Sequence, residues 1–450
     1  MANASTSGLC NQRLSLAEYA DNFADAHPPL TAAQAKTEAD RCYYCFDAPC
    51  ITACPTGIDI PSFIARIAQD NLRGAAKAIL EANILGGICA RVCPTEVLCE
   101  QACVRNTAET KPVEIGLLQR HATDALMNGG GAPLFTRATS TGRKVAVLGS
   151  GPAGLSCAHR LAMLGHDVVL FESRPKLGGL NEYGLASYKT VNSFAQREIE
   201  WLLSIGGIEP RLNASLGKDC QLDQLCAQYD AVFLGLGLSG VHALGIGEPD
   251  LPGLRDAVDF IAELRQAEHP SELVVGRRVV VIGGGMTAID ASVQSRLLGA
   301  QEVSMVYRRG PESMGASKEE QDWAKTNGVN IRHWAAPKRL LHAGGVLTGV
   351  EFAATQMQGG TLAQSGGLFT LEADMVLKAI GQSFDDSSVA GVIELVQGRI
   401  KTDPDGRSSH AKVWAGGDCR HGGRDLTVEA VEHGKRAAMS IHASFTSQGN

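Results

Sequence analysis

A short apolar run that opens onto glycines and then onto a helical pattern occurs twice in this 450-residue chain. The runs of the first pair are Lys144–Leu148 and Asp167–Phe171, and those of the second pair are Arg278–Ile282 and Glu302–Tyr307. Each pair, with the helical pattern between its runs, predicts a βαβ unit of a parallel sheet. A chain of this length exceeds what one hydrophobic core organises, so we expect further domains beside these two units.

The glycine pattern of the first unit is Gly149-Ser-Gly151-Pro-Ala-Gly154. Between a strand and a helix, the first glycine permits a tight turn and the second lets the backbone approach a pyrophosphate. The third lets the helix pack closely on the strand, and the helix N-terminus faces the phosphates. Glu172 ends the second strand, where a carboxylate accepts hydrogen bonds from ribose hydroxyls. The first unit therefore predicts a dinucleotide site.

The second unit carries Gly283-Gly-Gly285-Met-Thr-Ala288, in which alanine replaces the third glycine as the motif permits. No acid ends its second strand, where Arg308 and Arg309 stand instead. A guanidinium pair at that point suits the 2′-phosphate of NADP better than the bare ribose of NAD. The alternative is a basic pair that only faces water. We expect NADP(H) to be preferred over NAD(H).

A further glycine segment, Trp414-Ala-Gly-Gly417-Asp418, follows an apolar run near the C-terminus, and a helical pattern begins at Thr427. This arrangement resembles the closing segment of two-dinucleotide-binding flavoprotein reductases, in which the aspartate contacts the ribityl chain of FAD and the helix points at the flavin. The alternative is that Asp418 is a turn residue or a helix cap. The resemblance implies FAD at the first glycine turn and the nicotinamide at the second, whose domain is then an insertion.

Charge and hydropathy narrow the possible partners. A net charge of −7 and a pI near 6.0 provide no broad cationic surface, which argues against a nucleic-acid partner. No segment sustains about 20 apolar residues and no secretory signal opens the chain, so we expect no membrane contact and a cytoplasmic protein. Because that compartment keeps thiols reduced, 13 cysteines indicate metal or redox chemistry rather than disulfides.

Eight of the cysteines lie close together in a part of the chain that has helical spacing, as in Ile60–Ile67, and no strand alternation. They are spaced as Cys42-x2-Cys45-x4-Cys50-x3-Cys54-Pro and Cys89-x3-Cys93-Pro-x5-Cys99-x3-Cys103. Zinc sites usually pair Cys-x2-Cys knuckles, whereas Cys-x3-Cys-Pro after several spaced cysteines is typical of an iron–sulfur run. The eight thiols suffice for two four-ligand sites and predict two 4Fe–4S clusters, with zinc as the alternative.

Three segments, Arg41–Pro55, Asn83–Cys103 and Val113–Gln119, together resemble the N-terminal part of dihydropyrimidine dehydrogenases and the separate small subunit of the bacterial enzyme. The resemblance runs from about residue 41 to residue 435. Glutamate synthase small subunits share this layout but differ around Ile115–Gln119. The resemblance implies ligand sets that cross the two spacing runs, with one cluster held by Cys42, Cys45, Cys50 and Cys103 and the other by Cys54, Cys93, Cys99 and the amide oxygen of Gln119. Cys89 is then a buried bystander.

The resemblance also implies the cofactor contacts. For FAD they are Gly149, Gly151, Pro152, Gly154, Glu172, Gly179, Leu180, Lys189, Gly417, Asp418, Thr427 and Val428. For NAD(P) they are Gly283, Gly285, Met286, Thr287, Ala288, Arg308, Arg309 and Gly381. The chain departs from the family pattern before Lys189, where Leu185-Ala-Ser-Tyr replaces a segment that usually contains Ile-Pro. It also has Met314-Gly315 where the glutamate synthase relatives have Met-Pro.

The expected fold class is α/β, with an N-terminal all-α iron–sulfur domain followed by two Rossmann-like dinucleotide-binding domains, the second inserted in the first. The expected boundaries are 1–135 for the iron–sulfur domain, 136–250 with 384–450 for the FAD domain, and 251–383 for the NAD(P)H domain. No catalytic side chain is expected, because hydride passes directly between stacked cofactor rings.

The resemblance implies an electron-input subunit that passes electrons from NAD(P)H through FAD and two 4Fe–4S clusters. Long members of the family continue into an FMN-binding barrel with the pyrimidine site, so we expect a separate FMN and iron–sulfur subunit as partner in a hetero-oligomer. That partner would reduce uracil or thymine to the 5,6-dihydropyrimidine. The rivals are a glutamate synthase small subunit or a related electron-transfer subunit and, from another class, a zinc-stabilised nucleotide-binding scaffold.

Overall fold

The computed structural model of the protein describes residues 6–130 and 132–447. Its α-helices are α1 Leu16–Asn22, α2 Ala32–Ala39, α3 Pro49–Ala53, α4 Ile60–Ala68, α5 Leu72–Ala82, α6 Gly86–Val92, α7 Arg105–Glu109, α8 Ile115–Gly129, α9 Pro152–Met163, α10 Leu180–Tyr183, α11 Phe194–Leu203, α12 Leu222–Gln228, α13 Ala257–Gln266, α14 Met286–Leu297, α15 Lys318–Thr326 and α16 Thr427–Ser447. Short 3-10 turns cover Thr95–Val97, Ser187–Lys189, Pro270–Glu272, Pro311–Ser313 and Gly417–Cys419.

The strands are β1 Leu9–Cys10, β2 Lys144–Leu148, β3 Asp167–Phe171, β4 Ile208–Arg211, β5 Ala231–Leu234, β6 Gly240–Val241, β7 Leu254–Asp256, β8 Val275–Gly276, β9 Arg278–Gly283, β10 Glu302–Val306, β11 Val329–Arg332, β12 Ala335–Ala343, β13 Val346–Gln358, β14 Thr361–Glu372, β15 Met375–Ala379, β16 Gln382–Ser383, β17 Leu395–Val396, β18 Arg399–Ile400 and β19 Val413–Ala415.

The cysteine-rich part of the chain is helical, as predicted. In α4 the buried residues Ile60, Phe63, Ile64 and Ile67 recur at the spacing that places them on one helix face. The Asp59 side chain accepts a hydrogen bond from the Ser62 backbone N–H and so caps the first turn of this helix. The buried face of α4 joins a core shared with α2, α5 and α8, around which the thiols lie.

The first parallel sheet has the strand order β19-β5-β2-β3-β4. The interior positions of β2 and all of β5 are buried, which explains why these runs are continuously apolar rather than alternating. Strands β5 and β19 are neighbours in this sheet although they are about 180 residues apart in sequence, so a large segment of the chain is inserted between them.

The second parallel sheet, with the order β11-β10-β9-β15-β7, lies within that insertion in sequence. Its strands pair in register through β9, with Val279 opposite Val303 on one side and Met375 on the other. A three-stranded antiparallel sheet, β12-β13-β14, precedes β15. The predicted α/β class, with a helical domain first and one Rossmann-like fold inserted in the other, is therefore confirmed.

The chain divides into two compact units. The insertion unit consists of the described residues up to Ala26, Tyr183–Val191 and Gly240–Ser383. The thiol unit consists of His27–Glu182, Asn192–Ser239 and the described chain from Phe384 onward, so it holds both the cysteine-rich helices and the first parallel sheet. None of the described helices combines the length and the hydropathy that a membrane span requires.

The residues before Ala26 belong to the insertion unit because of specific contacts. Strand β1 pairs with β8, and the fully buried Arg13 donates from Nε to the Val275 carbonyl oxygen at 3.1 Å. The Asn22 amide donates to the Leu297 carbonyl oxygen at the end of α14. The domain boundaries proposed from sequence remain predictions.

Candidate functional site

The first glycine turn joins β2 to α9 in the thiol unit. Gly149 has a φ of +88°, and a Cβ there would lie 2.3 Å from the Gly235 carbonyl oxygen. A Cβ on Gly154 would lie 1.8 Å from the Gly149 carbonyl oxygen, so α9 can pack against the turn only with glycine at this position. A Cβ on Gly151 would meet no atom within 4 Å. The turn is thus tight on its protein side and open where a pyrophosphate would approach.

Glu172 lies beside this turn at the end of β3 and is 5% exposed. Its Oε2 accepts hydrogen bonds from the backbone N–H of Ser150 at 3.0 Å and from the Ser150 hydroxyl. Its Oε1 accepts from the backbone N–H of Arg174 at 2.9 Å. The carboxylate therefore stabilises the glycine turn through these hydrogen bonds. Its contact with a ribose stays a prediction.

Gly179 and Leu180, which the resemblance assigned to FAD, are brought to the same turn. A Cβ on Gly179 would lie 2.7 Å from the Gly151 Cα, and Leu180 begins α10. The Gly178 backbone N–H donates to the Ser150 hydroxyl at 3.0 Å. The segment after Glu172 thus folds back over the glycine turn and encloses it from a second side.

The C-terminal segment completes this site. Gly417 packs against α9, since a Cβ there would lie 3.1 Å from the Ala153 Cβ. Asp418 follows it, and α16 begins at Thr427, whose hydroxyl donates to the Asn181 amide oxygen at 3.4 Å. Burial raises the pKa of Asp418 to about 6, with Asp425 adding to the shift and Arg399 opposing it.

The second glycine turn, in the insertion unit, repeats the backbone arrangement of the first. A Cβ on Gly283 would lie 2.1 Å from the Ala379 carbonyl oxygen, whereas a Cβ on Gly285 would meet nothing within 4 Å. Helix α14 begins at Met286, and Ala288 in its first turn is fully buried. Gly381 has a φ of +101° and lies just after β15, the neighbour of β9. This turn is also open on the side where a phosphate would approach.

Arg308 and Arg309 lie one residue beyond the end of β10, after Tyr307, and both are exposed. The Arg308 backbone carbonyl oxygen accepts a hydrogen bond from the Thr355 hydroxyl at 2.8 Å, which anchors the backbone of this loop. Among the described residues, neither guanidinium has a hydrogen-bond or ion-pair partner. Two unpaired guanidiniums at the end of the second strand leave room for an anionic group there.

Four thiols line one cavity in the cysteine-rich helices of the thiol unit, and these are the predicted set Cys42, Cys45, Cys50 and Cys103. Burial raises the pKa of Cys50 to about 11, and repulsion from Cys103 and Cys42 adds to it. The structure therefore brings Cys103, from the second spacing run, against thiols of the first. Spacing alone left this crossing open.

The second predicted set also gathers thiols from both spacing runs. A hydrogen bond with Cys89 and then burial raise the pKa of Cys93, and Cys99 and Cys54 add electrostatic repulsion. Burial is the largest cause that raises the pKa of Cys99, and electrostatic repulsion from Glu100 and Cys54 raises it further. Cys89 is itself buried beside Cys93 and could compete with Gln119 for the fourth position, so the choice between them stays a prediction.

Gln119 lies in α8 and is 7% exposed. Its amide nitrogen donates to the Gly86 carbonyl oxygen at 2.7 Å, which leaves the amide oxygen as the atom available to a metal. Among the described residues, no three cysteine, histidine, aspartate or glutamate side chains lie close enough together to bind one metal ion. The first set offers four thiols around a cavity, and the second offers three thiols and one amide oxygen. Both supply four donor atoms of a chemistry that suits an iron–sulfur cluster.

Residues 143–434 match the family model of the pyridine nucleotide-disulphide oxidoreductases, which is well over half of the chain. The chain belongs to this family. A second model, described as dihydropyrimidine dehydrogenase domain II with a 4Fe-4S cluster, matches residues 19–130 of this oxidoreductase. The predicted order of an iron–sulfur domain followed by dinucleotide-binding folds is thereby confirmed, as are the types of cofactor that these two families bind.

Curated relatives of this oxidoreductase match over nearly its whole length. It is 34% identical over 445 residues to the glutamate synthase (NADPH) small chain of Escherichia coli strain K12, covering 93% of each chain. It is 33% identical over 424 residues to the NAD-dependent dihydropyrimidine dehydrogenase subunit PreT of Salmonella typhimurium strain LT2, covering 94% of this chain and 97% of that one. The predicted resemblance to both groups is confirmed.

Among solved structures, Mycobacterium tuberculosis FprA in complex with NADPH matches with a TM-score of 0.56 and 18% identity, covering 68% of this oxidoreductase and 86% of that chain. The thioredoxin reductase of T. acidophilum matches with a TM-score of 0.54 and 20% identity, covering 68% of this oxidoreductase and 99% of that chain. At these identities the likeness shows the fold alone.

Lys189 was assigned to FAD by resemblance, but the structure places it in the insertion unit. Its ammonium lies 2.8 Å from Asp290 Oδ1 on α14 and 2.8 Å from Glu320 Oε1 on α15. Burial disfavours the charge of Lys189, but the two carboxylates outweigh it and raise its pKa. Its contact with the flavin stays a prediction.

Two residues that build the oxidoreductase's first turn, Ser150 and Gly434, were not among the residues predicted from sequence. Ser150 bridges Glu172 and Gly178, although it is only the variable position of the glycine motif. A Cβ on Gly434 would lie 2.0 Å from the Ala153 carbonyl oxygen, so this glycine allows α16 to pack on α9. A glycine inside a helical pattern is a sign of such close packing, and it was the one available clue.

Proposed function

We propose that this chain is the electron-input subunit of a dihydropyrimidine dehydrogenase. In this role NAD(P)H gives up a hydride, and its two electrons leave the chain one at a time. A partner subunit with FMN and further clusters would add two electrons and two protons across the C5–C6 double bond of uracil or thymine. When bound, FAD and the 4Fe–4S clusters supply this conversion from a two-electron donor to single-electron transfer.

The observation that carries the proposal is that the first glycine turn and both thiol sets belong to one compact unit. Hydrogen bonds connect the two regions directly. Glu198 on α11 accepts hydrogen bonds from the backbone N–H groups of Gly87 and Ile88 at the start of α6. On α9, the Arg160 guanidinium donates to the Glu81 carbonyl oxygen at 2.8 Å. These contacts keep the thiols near the FAD-type sheet, which short-range electron transfer requires.

At the FAD end, the roles proposed for the residues follow from their positions. The open face at Gly151 receives the pyrophosphate, Glu172 binds the adenosine ribose, and Asp418 with the start of α16 contacts the ribityl chain. In the insertion unit, the corresponding open face at Gly285 receives the nicotinamide dinucleotide, and Arg308 with Arg309 binds the 2′-phosphate of NADPH.

For the clusters, we propose Cys42, Cys45, Cys50 and Cys103 as the ligands of one and Cys54, Cys93, Cys99 and Gln119 as the ligands of the other. The pyrimidine assignment rests on the resemblance around Ile115–Gln119, and the Gln119 amide is buried with its nitrogen engaged, which leaves its oxygen for the cluster. Localisation in the cytoplasm and assembly with the FMN subunit are part of the same proposal.

The second candidate is a glutamate synthase small chain. It is favoured by 34% identity over 93% of both chains with the Escherichia coli protein of that name. In that role the electrons would pass to a large glutamine-hydrolysing subunit. The partner that accepts electrons from this chain decides between the two roles.

The first test is anaerobic purification of the full chain, with iron, sulfide, zinc and flavin analysis and visible spectra during titration with NADPH or NADH. We expect about eight irons and one FAD per chain, reduced faster by NADPH. Flavin without iron would leave a flavoprotein reductase with no cluster relay. Stoichiometric zinc in a colourless protein would replace the proposal with the scaffold.

The second test supplies partners. The loaded chain is mixed with the FMN subunit of a bacterial dihydropyrimidine dehydrogenase or with a glutamate synthase large chain. NAD(P)H-dependent loss of uracil with the first partner is the expected result. Glutamate formed from glutamine and 2-oxoglutarate with the second, and no uracil reduction with the first, would overturn the pyrimidine assignment and keep the electron-input role.

A further inference from the structure

A hydroxyl group lies next to one of the predicted cluster ligands. Thr56 Oγ1 is 3.3 Å from Cys54 Sγ, and Thr56 is only 5% exposed. The Gly57 backbone N–H donates to the Cys54 carbonyl oxygen at 2.9 Å and closes a turn over Pro55 and Thr56. Among the described side chains, Thr56 alone brings a hydroxyl within hydrogen-bonding distance of a predicted ligand sulfur.

The direction of this hydrogen bond is decided by the chemistry of the ligand. In the free thiol either atom could be the donor. A thiolate bound to iron has no proton, so the Thr56 hydroxyl must then donate to the sulfur. Hydrogen bonds to the sulfurs are among the factors that set the reduction potential of an iron–sulfur cluster. Since reduction adds negative charge, a donor stabilises the reduced form more and raises the potential.

Thr56 is held in place from the opposite side by Lys435 on α16. The Lys435 ammonium donates to the Thr56 carbonyl oxygen at 3.3 Å and to the Ala82 carbonyl oxygen at 2.9 Å. It also pairs with Glu432 at 2.6 Å. The helix that begins at the predicted flavin contact Thr427 therefore reaches the loop of a predicted cluster ligand and fixes its backbone.

We propose that Thr56, held by Lys435, is a positioning residue that raises the reduction potential of the cluster bound by Cys54. The hydroxyl acts through the Cys54 sulfur and makes this cluster a better acceptor for electrons from the flavin. The inference rests on the proposed function, because it requires that Cys54 binds a cluster. No group is oxidised or transferred by Thr56 itself.

The test compares Thr56→Val, which removes the hydroxyl at nearly constant volume, with Thr56→Ser, which keeps a hydroxyl. Both are made in the full chain and titrated potentiometrically under anaerobic conditions, with the reduced clusters followed by electron paramagnetic resonance. In Thr56→Val we expect one cluster to become about tenfold harder to reduce, a shift of ~59 mV to more negative potential for one electron. The other cluster keeps its potential, and Thr56→Ser restores the first.

Ser156→Ala is the matched control, because this buried hydroxyl donates to the Val431 carbonyl oxygen and touches no predicted ligand. It should leave both potentials unchanged. If Thr56→Val retains too little iron to titrate, Lys435→Met provides the second variant, and the same cluster should shift in the same direction by a smaller amount. An unshifted potential in whichever variant is loaded overturns the inference about Thr56 and Lys435.

Failure of the proposed function and failure of the inference about Thr56 give different results. Wild-type protein without clusters would overturn the proposed function before Thr56 is examined. Wild-type protein with both clusters and equal potentials in the wild type and Thr56→Val would overturn only the inference. FAD content and the rate of flavin reduction by NAD(P)H should not change in Thr56→Val or Thr56→Ser, because Thr56 is not among the predicted flavin contacts.

Discussion

The two glycine turns have the same backbone and different surroundings. In both turns, a Cβ added to the first glycine would lie less than 2.5 Å from a carbonyl oxygen of a neighbouring strand or loop. A Cβ added to the glycine two residues later would meet no atom within 4 Å. At the first turn the second strand ends in the buried Glu172, which binds the turn itself. At the second turn it ends in the exposed Arg308 and Arg309. In the proposed function, the shared backbone binds a pyrophosphate in both folds, and the residue after the second strand selects the nucleotide.

The largest expected effect breaks the first turn alone. In Gly154→Ala the added Cβ would lie 1.8 Å from the Gly149 carbonyl oxygen, which forces α9 away from the turn. We expect the FAD retained after gel filtration to fall by about tenfold or more. Ala288→Gly is the control at the matching position of the second turn, where a Cβ is already accommodated, and it should keep its flavin. Full flavin content in Gly154→Ala would mean that this packing is not needed for binding.

A smaller effect separates the two nucleotides. Replacing Arg308 and Arg309 by alanine should lower kcat/KM for NADPH by roughly 10- to 100-fold, with ferricyanide as acceptor, because two charge-assisted contacts are lost. The value for NADH should not change. Arg339→Ala, on β12 of the same unit, is the control, since its guanidinium pairs only with Glu351 at the surface. Equal losses in kcat/KM for NADPH and NADH would show that Arg308 and Arg309 do not recognise the 2′-phosphate.

The next effect concerns the acid of the first turn. Glu172→Gln keeps the size of the side chain but replaces one acceptor oxygen by a donor, which leaves a Ser150 or Arg174 donor unpaired. We expect the Kd for FAD to rise by about tenfold and kcat at saturating FAD to remain unchanged. Glu209→Gln, an exposed acid on β4 that pairs only with Arg211, is the control. An unchanged Kd for Glu172→Gln would assign the carboxylate no part in binding.

The smallest effect is on stability and concerns Asp418. Burial holds its pKa at about 6, above the ordinary carboxyl value of 3.8, so the folded flavin-free protein binds this proton more tightly than the unfolded chain does. The stability contributed by the neutral form is complete below the ordinary value and is lost as the pH rises through about 6. In Asp418→Asn the urea midpoint of the flavin-free protein should therefore fall less between pH 4 and pH 7. In Asp70→Asn, at an exposed ion pair with Lys36, the urea midpoint should fall much as it does in the wild type.

The two halves of the molecule differ in how far they could be predicted from sequence. The glycine turns were predictable because a strand, a turn and a helix that are consecutive in sequence are also consecutive in space, and positions such as Gly149 and Gly154 follow from local geometry. The thiol sets were not. Cys103 joins Cys42 and Cys50 only because the helices between them fold back, and the resemblance, not the spacing, anticipated this.

Two further cases show the limit of local patterns. Lys189 lies between segments of the first fold in sequence, yet it pairs with Asp290 and Glu320 of the insertion unit. Thr56 follows a predicted ligand by two residues, but neither its hydrogen bond to Cys54 nor its anchor at Lys435 is visible in the sequence. Both depend on which elements from distant parts of the chain lie side by side.

The resemblance implied that one dinucleotide-binding domain is inserted in the other, whereas the sequence by itself determined local elements of this protein: two βαβ units with glycine turns and a helical cysteine-rich segment. These follow from hydrophobic period, glycine conformation and ligand chemistry, which act over a few residues. Only the tertiary structure decided which thiols share a cavity, that the thiols and the FAD-type sheet form one compact unit, and which carboxylates hold Lys189. Such contacts join residues far apart in the chain, and their partners are selected by the packing of whole helices and sheets rather than by neighbouring residues.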